Sequence, residues 1–189
     1  MSIKRGLPYY KMQKNLLTVY DEWETPMYAL RDLLQWEGMQ MPHDAVVYEP
    51  FVGSGHSTNC LKKLGYNVLT QSANFFQHER PASDVYLITN PPFTIKKECL
   101  QRILVEWDVP KFAILLPAPV LQTNYFQDMI KHVASLDVMV PTTRIKFMKN
   151  GVMAPKCSGF NVVWVCRGMP IKRPIQMHYL NHEGDKDAF

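Results

Sequence analysis

Two short stretches hold residue types that can do chemistry together. The first is Asn90-Pro91-Pro92-Phe93. An Asn side-chain carbonyl and the carbonyl of Pro91 can both accept hydrogen bonds from one exocyclic amine, which fixes the nitrogen and raises its electron density. The prolines have no N–H to compete, and in tandem they hold the corner stiff and extended. Phe93 supplies a ring to stack on the base that carries the amine. Such catalysis works by positioning and electrostatics, without a metal or a covalent intermediate. A rigid turn alone would explain the prolines but not the Asn and Phe that flank them. The second stretch is Glu49-Pro50-Phe51-Val52-Gly53-Ser54-Gly55-His56-Ser57-Thr58. Its glycines let backbone approach a ligand with no Cβ in the way. A helix start there offers unpaired N–H groups, and Glu49 can accept from hydroxyl or ammonium donors. That combination suits a nucleotide-like ligand. His56 falls in the first helical turn, where it packs or caps, because an amine held by the tetrad needs no strong base.

Alternating strands and helices must position these stretches. Apolar runs at Ala45–Tyr48, Tyr66–Thr70, Val85–Thr89 and Phe112–Leu116 read as strands, the last buried on both faces. Helical spacing runs over Met27–Glu37 up to Gly38, His56–Leu64 up to Gly65, Ile95–Trp107 and Leu121–Ser135. Thr25 reads as the N-cap of the first helix with Pro26 at N1. Trp23, just outside it, is a packing staple or a platform for a planar ligand. Late strands at Leu136–Val140 and Phe160–Cys166, with no convincing helix between them, point to a closing antiparallel pair. This order predicts an α/β fold with a mostly parallel sheet. Ligands in such folds bind beyond the carboxyl ends of the strands, so the two stretches should share one crevice.

A chain of 189 residues with an ordinary apolar fraction predicts one domain with a real core. The net charge of +4 is compatible with an anionic partner but does not require one. The four cysteines form no C-x-x-C pair and read as reduced thiols of an intracellular, soluble protein. Six scattered histidines give no metal-ligand spacing, so no metal is expected. Neither a signal peptide nor a transmembrane-length apolar run is present, so no membrane is expected. A nicotinamide cofactor fits poorly, because the glycine turn lacks a third glycine and the second strand lacks a terminal acid.

Three segments in order, Glu24-Thr25-Pro26, Glu49 to Gly55 and Asn90-Pro91-Pro92-Phe93, resemble the motifs of class I S-adenosylmethionine-dependent amino-methyltransferases, most closely the N6-adenine type. In that family an E-T-P segment contacts the methionine part of the cofactor. An acidic residue followed by F-x-G-x-G binds the cofactor, and an N/D-P-P-Y/F tetrad binds the target amine. The order is similar to the gamma arrangement of DNA adenine methyltransferases, and the likeness spans about Tyr20 to Cys166.

The resemblance implies a single Rossmann-like methyltransferase domain at residues 20–168, between a basic arm (1–19) and a polar tail (169–189). Its sheet would be seven-stranded and mostly parallel, with a closing antiparallel strand and helices on both faces. The catalytic residues would be Asn90, Pro91, Pro92 and Phe93. S-adenosylmethionine would be held by Trp23, Thr25, Pro26, Glu49, Phe51, Gly53, Gly55, Asn74, Phe75 and Asn90. Two departures stand out. Thr70-Gln71-Ser72 lies where the family carries an acid for the cofactor ribose, and Asn74-Phe75 replaces Asp-Phe; neutral groups pair more weakly than a carboxylate. There is no separate target-recognition domain. Substrate contacts are therefore expected from loops at Thr94–Lys97 and Thr142–Gly159 and from the arm, with Lys96, Lys97, Arg144, Lys146 and Phe147 named. Lys149 and Lys156 share the second loop, whose charge either binds phosphates or is merely solvated; Phe147 either stacks on a base or joins the core. The expected reaction is methylation of adenine N6 in nucleic acid, DNA ahead of RNA. The alternatives are a protein glutamine methyltransferase and a noncatalytic partner subunit. A monomer or homodimer is expected, in a host cytoplasm if phage-encoded.

Overall fold

The computed structural model describes residues 23–35, 39, 41–71, 74–131, 133, 135–153 and 161–171, together with the backbone of 175–178. The expected basic arm, the helix stop at Gly38, Ser72, Lys156, Phe160 and residues 179–189 lie outside them.

Apolar and β-branched runs form the sheet. In chain order its strands are β1 (Val46–Tyr48), β2 (Asn67–Leu69), β3 (Tyr86–Thr89), β4 (Phe112–Pro117), β5 (Asp137–Pro141), β8 (Val162–Arg167) and β9 (Ile175–His178), with β6 (Met148–Lys149) and β7 (Val152–Met153) forming a separate hairpin. The sheet order is β2-β1-β3-β4-β8-β5-β9. Every neighbour pair is parallel except the two made by β8, which runs antiparallel to both β4 and β5. The fold is therefore the expected one: seven strands, six of a common direction and one reversed.

Residues alternate across the sheet with a period of two, so its central strands feed two cores. In β4, Phe112, Ile114 and Leu116 face one side and Ala113 and Leu115 the other, all with no exposed surface. The first side is covered by α3 (Lys96–Leu100) and α4 (Asn124–Ile130), through Cys99, Leu100, Phe126 and Met129. The second is covered by α1 (Met27–Leu34) and α2 (His56–Lys63), through Tyr28, Leu30, Leu33, Cys60 and Leu61. Each large apolar side chain buried in this way contributes about 1.5–3 kcal/mol over its exposed state. Among the described residues no helix is long and apolar enough to cross a membrane.

Several local expectations are corrected. The helix expected over Ile95–Trp107 is a composite: a 3-10 turn, Phe93–Ile95, then α3, then a π-helical continuation, Gln101–Glu106. The helix expected from Leu121 is split into a 3-10 turn, Ala118–Gln122, and α4, because Thr123 is extended and its hydroxyl donates to the Val120 carbonyl (2.8 Å). Thr25 does not cap α1. Pro26 occupies the cap position, and the buried Thr25 hydroxyl has no partner. The polar tail also contributes β9, whose Ile-Gln-Met-His alternation passes for polar chain beside Pro170 and Pro174.

Candidate active site

Glu49 follows β1, Asn90 follows β3, and the two strands pair directly. The two motifs therefore emerge side by side at the carboxyl end of the parallel sheet. Between them lies a cleft of about 420 Å³. The glycine loop and the start of α2 form one wall, with Phe51, Val52, Gly53, Ser54, His56 and Ser57. Asn90, Pro91, Pro92 and Phe93 form the facing wall, Trp23 and Glu24 close one end, and Asn150 reaches in from the hairpin turn.

The loop adopts backbone that favours glycine. Gly53 and Gly55 have φ of 51° and 83°, and a Cβ built on Gly53 would meet no protein atom within 4 Å. That side of Gly53 is open space, so the loop backbone can approach a ligand there.

Glu49 holds the loop in place. Its Oε1 accepts from the Phe51 N–H (2.9 Å) and the Thr89 hydroxyl (2.6 Å), which ties the loop after β1 to the last residue of β3. Only 2% of Glu49 is exposed, and it does not line the cleft. Burial pushes its carboxyl up to about 8, although both hydrogen bonds favour the charged form. Glu49 is thus placed to position the loop.

Asn90 presents the opposite case. Its Oδ1 is buried at the edge of the cleft and has no hydrogen-bond partner. A buried unsatisfied acceptor costs about 1–3 kcal/mol, which an arriving N–H donor recovers. Phe93 is half-buried against the core below α1 and begins the 3-10 turn. Lys96 donates to the Phe93 carbonyl (2.8 Å), which ties the end of the tetrad to α3.

Glu24 is the cleft carboxylate among the described residues. Its Oε1 accepts from the Ser54 hydroxyl (2.5 Å) and its Oε2 from the Gly151 N–H (3.0 Å). Its backbone pairs with Met148 through bonds of 2.8 and 2.9 Å. One residue therefore joins the segment before α1, the glycine loop and the hairpin.

Of the residues expected to hold a cofactor, Trp23, Phe51, Gly53 and Asn90 line the cleft, whereas Thr25, Pro26, Gly55, Asn74 and Phe75 do not. Asn74 caps a short turn by accepting from the Phe76 N–H (3.1 Å), and Phe75 is a core ring packed on Phe51 at 4.6 Å. Of the expected substrate residues, Lys97 lies over the Tyr125 ring (5.6 Å). Arg144 and Lys146 are exposed. Phe147 is only 1% exposed and belongs to the core, so no face is left for stacking. The motif reading assigned contact to Thr25 and Pro26 and passed over Glu24 beside them, though it is the one residue of the three with a charged, extended side chain. Asn150 was missed as well, and its signal was the Asn-Gly dipeptide of a tight hairpin.

No protein-family model and no curated protein matches the chain. Solved structures do. A crystal structure of the 23S rRNA methyltransferase ErmE aligns at 11% identity and a TM-score of 0.47, over 75% of this chain and 66% of that one. The type I restriction-modification system methyltransferase subunit from Streptococcus thermophilus aligns at 12% identity and a TM-score of 0.51, over 90% of this chain and 50% of that one. This chain thus spans just under two thirds of the first and half of the second. The second likeness is one of fold alone.

Proposed function

We propose that this chain transfers a methyl group from S-adenosylmethionine to the exocyclic N6 amine of an adenine in nucleic acid, DNA before RNA. The observation that carries the reading is the unpartnered, buried Oδ1 of Asn90 beside two prolines at the edge of the cleft. An amine with two N–H groups satisfies that oxygen and the Pro91 carbonyl together. Both acceptors draw electron density toward the nitrogen, and the prolines hold them still. Phe93 offers its ring to the base. The neighbour from Streptococcus thermophilus, a restriction-modification methyltransferase subunit, supports methyl transfer as the reaction.

The cleft suits the methyl donor. Apolar faces from Trp23, Phe51 and Val52 sit beside the hydroxyls of Ser54 and Ser57 and the carboxylate of Glu24. Glu24 would take the donor's ammonium, since two bonds leave part of its acceptor capacity unused. Gly53 would let the loop close on it. When bound, S-adenosylmethionine supplies an electrophilic methyl group. The chain's own part is to align the amine and exclude water from the cleft.

The test is transfer of labelled methyl to single-stranded DNA, duplex DNA, RNA and peptide, followed by nucleoside and amino-acid analysis. Label should appear in N6-methyladenine. Asn90→Ala should lower the rate at least about 100-fold while donor binding persists by calorimetry. Label on a peptide glutamine, or an unchanged rate in the variant, would refute the proposal.

A further inference from the structure

The modest net charge hides a division. Between Val138 and His182 lie none of the 17 acidic residues and seven of the 21 basic ones. That stretch carries +7 and the remainder −3, which together give the net +4. One basic residue, Arg167, is paired with Asp108 at the far end of β8. At the cleft end the stretch presents the β6–β7 hairpin and the segment leading into it, residues 144–147.

That lead-in alternates. Ile145 and Phe147 are buried, while Arg144 and Lys146 are exposed. The Lys146 N–H donates to the Tyr28 hydroxyl (2.7 Å), which fastens the lead-in to α1. The hairpin turns through Asn150 and Gly151, with φ of 52° and 74°, a two-residue turn whose twist matches its strands. It is held twice by Glu24, through the backbone pairing at Met148 and the carboxylate on the Gly151 N–H. Asn150 lines the cleft. Val152, two residues on, is 66% exposed, more than any other large apolar side chain among the described residues.

We infer that this hairpin is a nucleic-acid-binding finger: Val152 packs against a base next to the target, and Arg144 and Lys146 take the neighbouring phosphates. The inference rests on the reading of the target as a nucleobase. A base drawn into the cleft leaves an unstacked step behind, and an exposed apolar side chain on the hairpin whose turn lines the cleft is suited to cover it. An acid-free lead-in suits a polyanion, because each neutralised phosphate releases counterions. The double fixing by Glu24 means the finger is set before the strand arrives, so binding loses less ordering entropy.

The test measures anisotropy of labelled adenine-containing DNA and RNA oligonucleotides against the full chain at several salt concentrations. S-adenosylhomocysteine is titrated separately by calorimetry. Val152→Ser should weaken oligonucleotide binding about 3- to 10-fold with the same salt dependence. Lys146→Gln should lower the slope of log affinity on log salt by about 0.7–0.9. Both variants should bind S-adenosylhomocysteine and unfold as the parent does. Parent-like oligonucleotide binding in both variants overturns the finger, as does a parent chain that binds no oligonucleotide and methylates a peptide. Oligonucleotide binding that depends on Val152 and Lys146 but brings no methyl transfer upholds the finger and refutes the proposed reaction. Adenine methylation with both variants unimpaired does the reverse.

Discussion

Glu49 and Asn90 stand one residue beyond the ends of paired strands, and their oxygens meet opposite fates. Glu49 Oε1 has two donors within 2.9 Å, and Asn90 Oδ1 has none. A saturated buried oxygen holds structure together, whereas an unsatisfied one awaits a partner. The sequence made Asn90 legible because its neighbours were two prolines and an aromatic. It could not show that Thr89, on another strand, turns its hydroxyl toward Glu49. A pH dependence follows. The unfolded chain releases this proton near 4.5, and the folded chain keeps it to about 8. Between those values the unfolded state binds fewer protons, so stability should fall as pH rises from about 4.5 to about 8 and level off beyond. Glu49→Gln keeps a carbonyl for both donors and has no proton to lose. Thermal unfolding across that range should slope for the parent and run flatter for the variant.

Among the elements at the cleft, the hairpin is one that sequence periodicity could not find. Its strands are two residues each, too short for an alternation to register, and only Asn150-Gly151 marks it. The longer strands were legible because each is a run of apolar residues fed from two cores. The composite helix after the tetrad reads from sequence as one apolar face, because 3-10, α and π turns differ in hydrogen bonding more than in which side is buried. Glu24 carries the coupling between elements. Glu24→Ala should speed hydrogen exchange at the Gly151 amide about tenfold, as expected for loss of one bond to a charged group. Amides within β4 should be unaffected, and equal exchange at Gly151 would mean that the tip is held by other contacts.

At the scale of the molecule, β9 closes the edge beside β5 and was not legible, since four alternating residues between a proline and a polar end carry little signal. A chain ending before Ile175 leaves the β5 edge unpaired. Its thermal midpoint should drop by roughly 2–10 °C, and an unchanged midpoint would mean the strand adds nothing to stability. The acid-free stretch runs from Val138 in β5 through the β6–β7 hairpin, β8 and β9. Asn150 sits there, followed by glycine, at an exposed turn. An asparagine so placed is open to attack on its side-chain amide by the next backbone nitrogen, which sheds ammonia and leaves a carboxylate after hydrolysis. Here that nitrogen is engaged by Glu24. The contact that sets the finger therefore also slows the chain's chemical ageing, and a preparation that loses it would gain negative charge at the mouth of its own cleft.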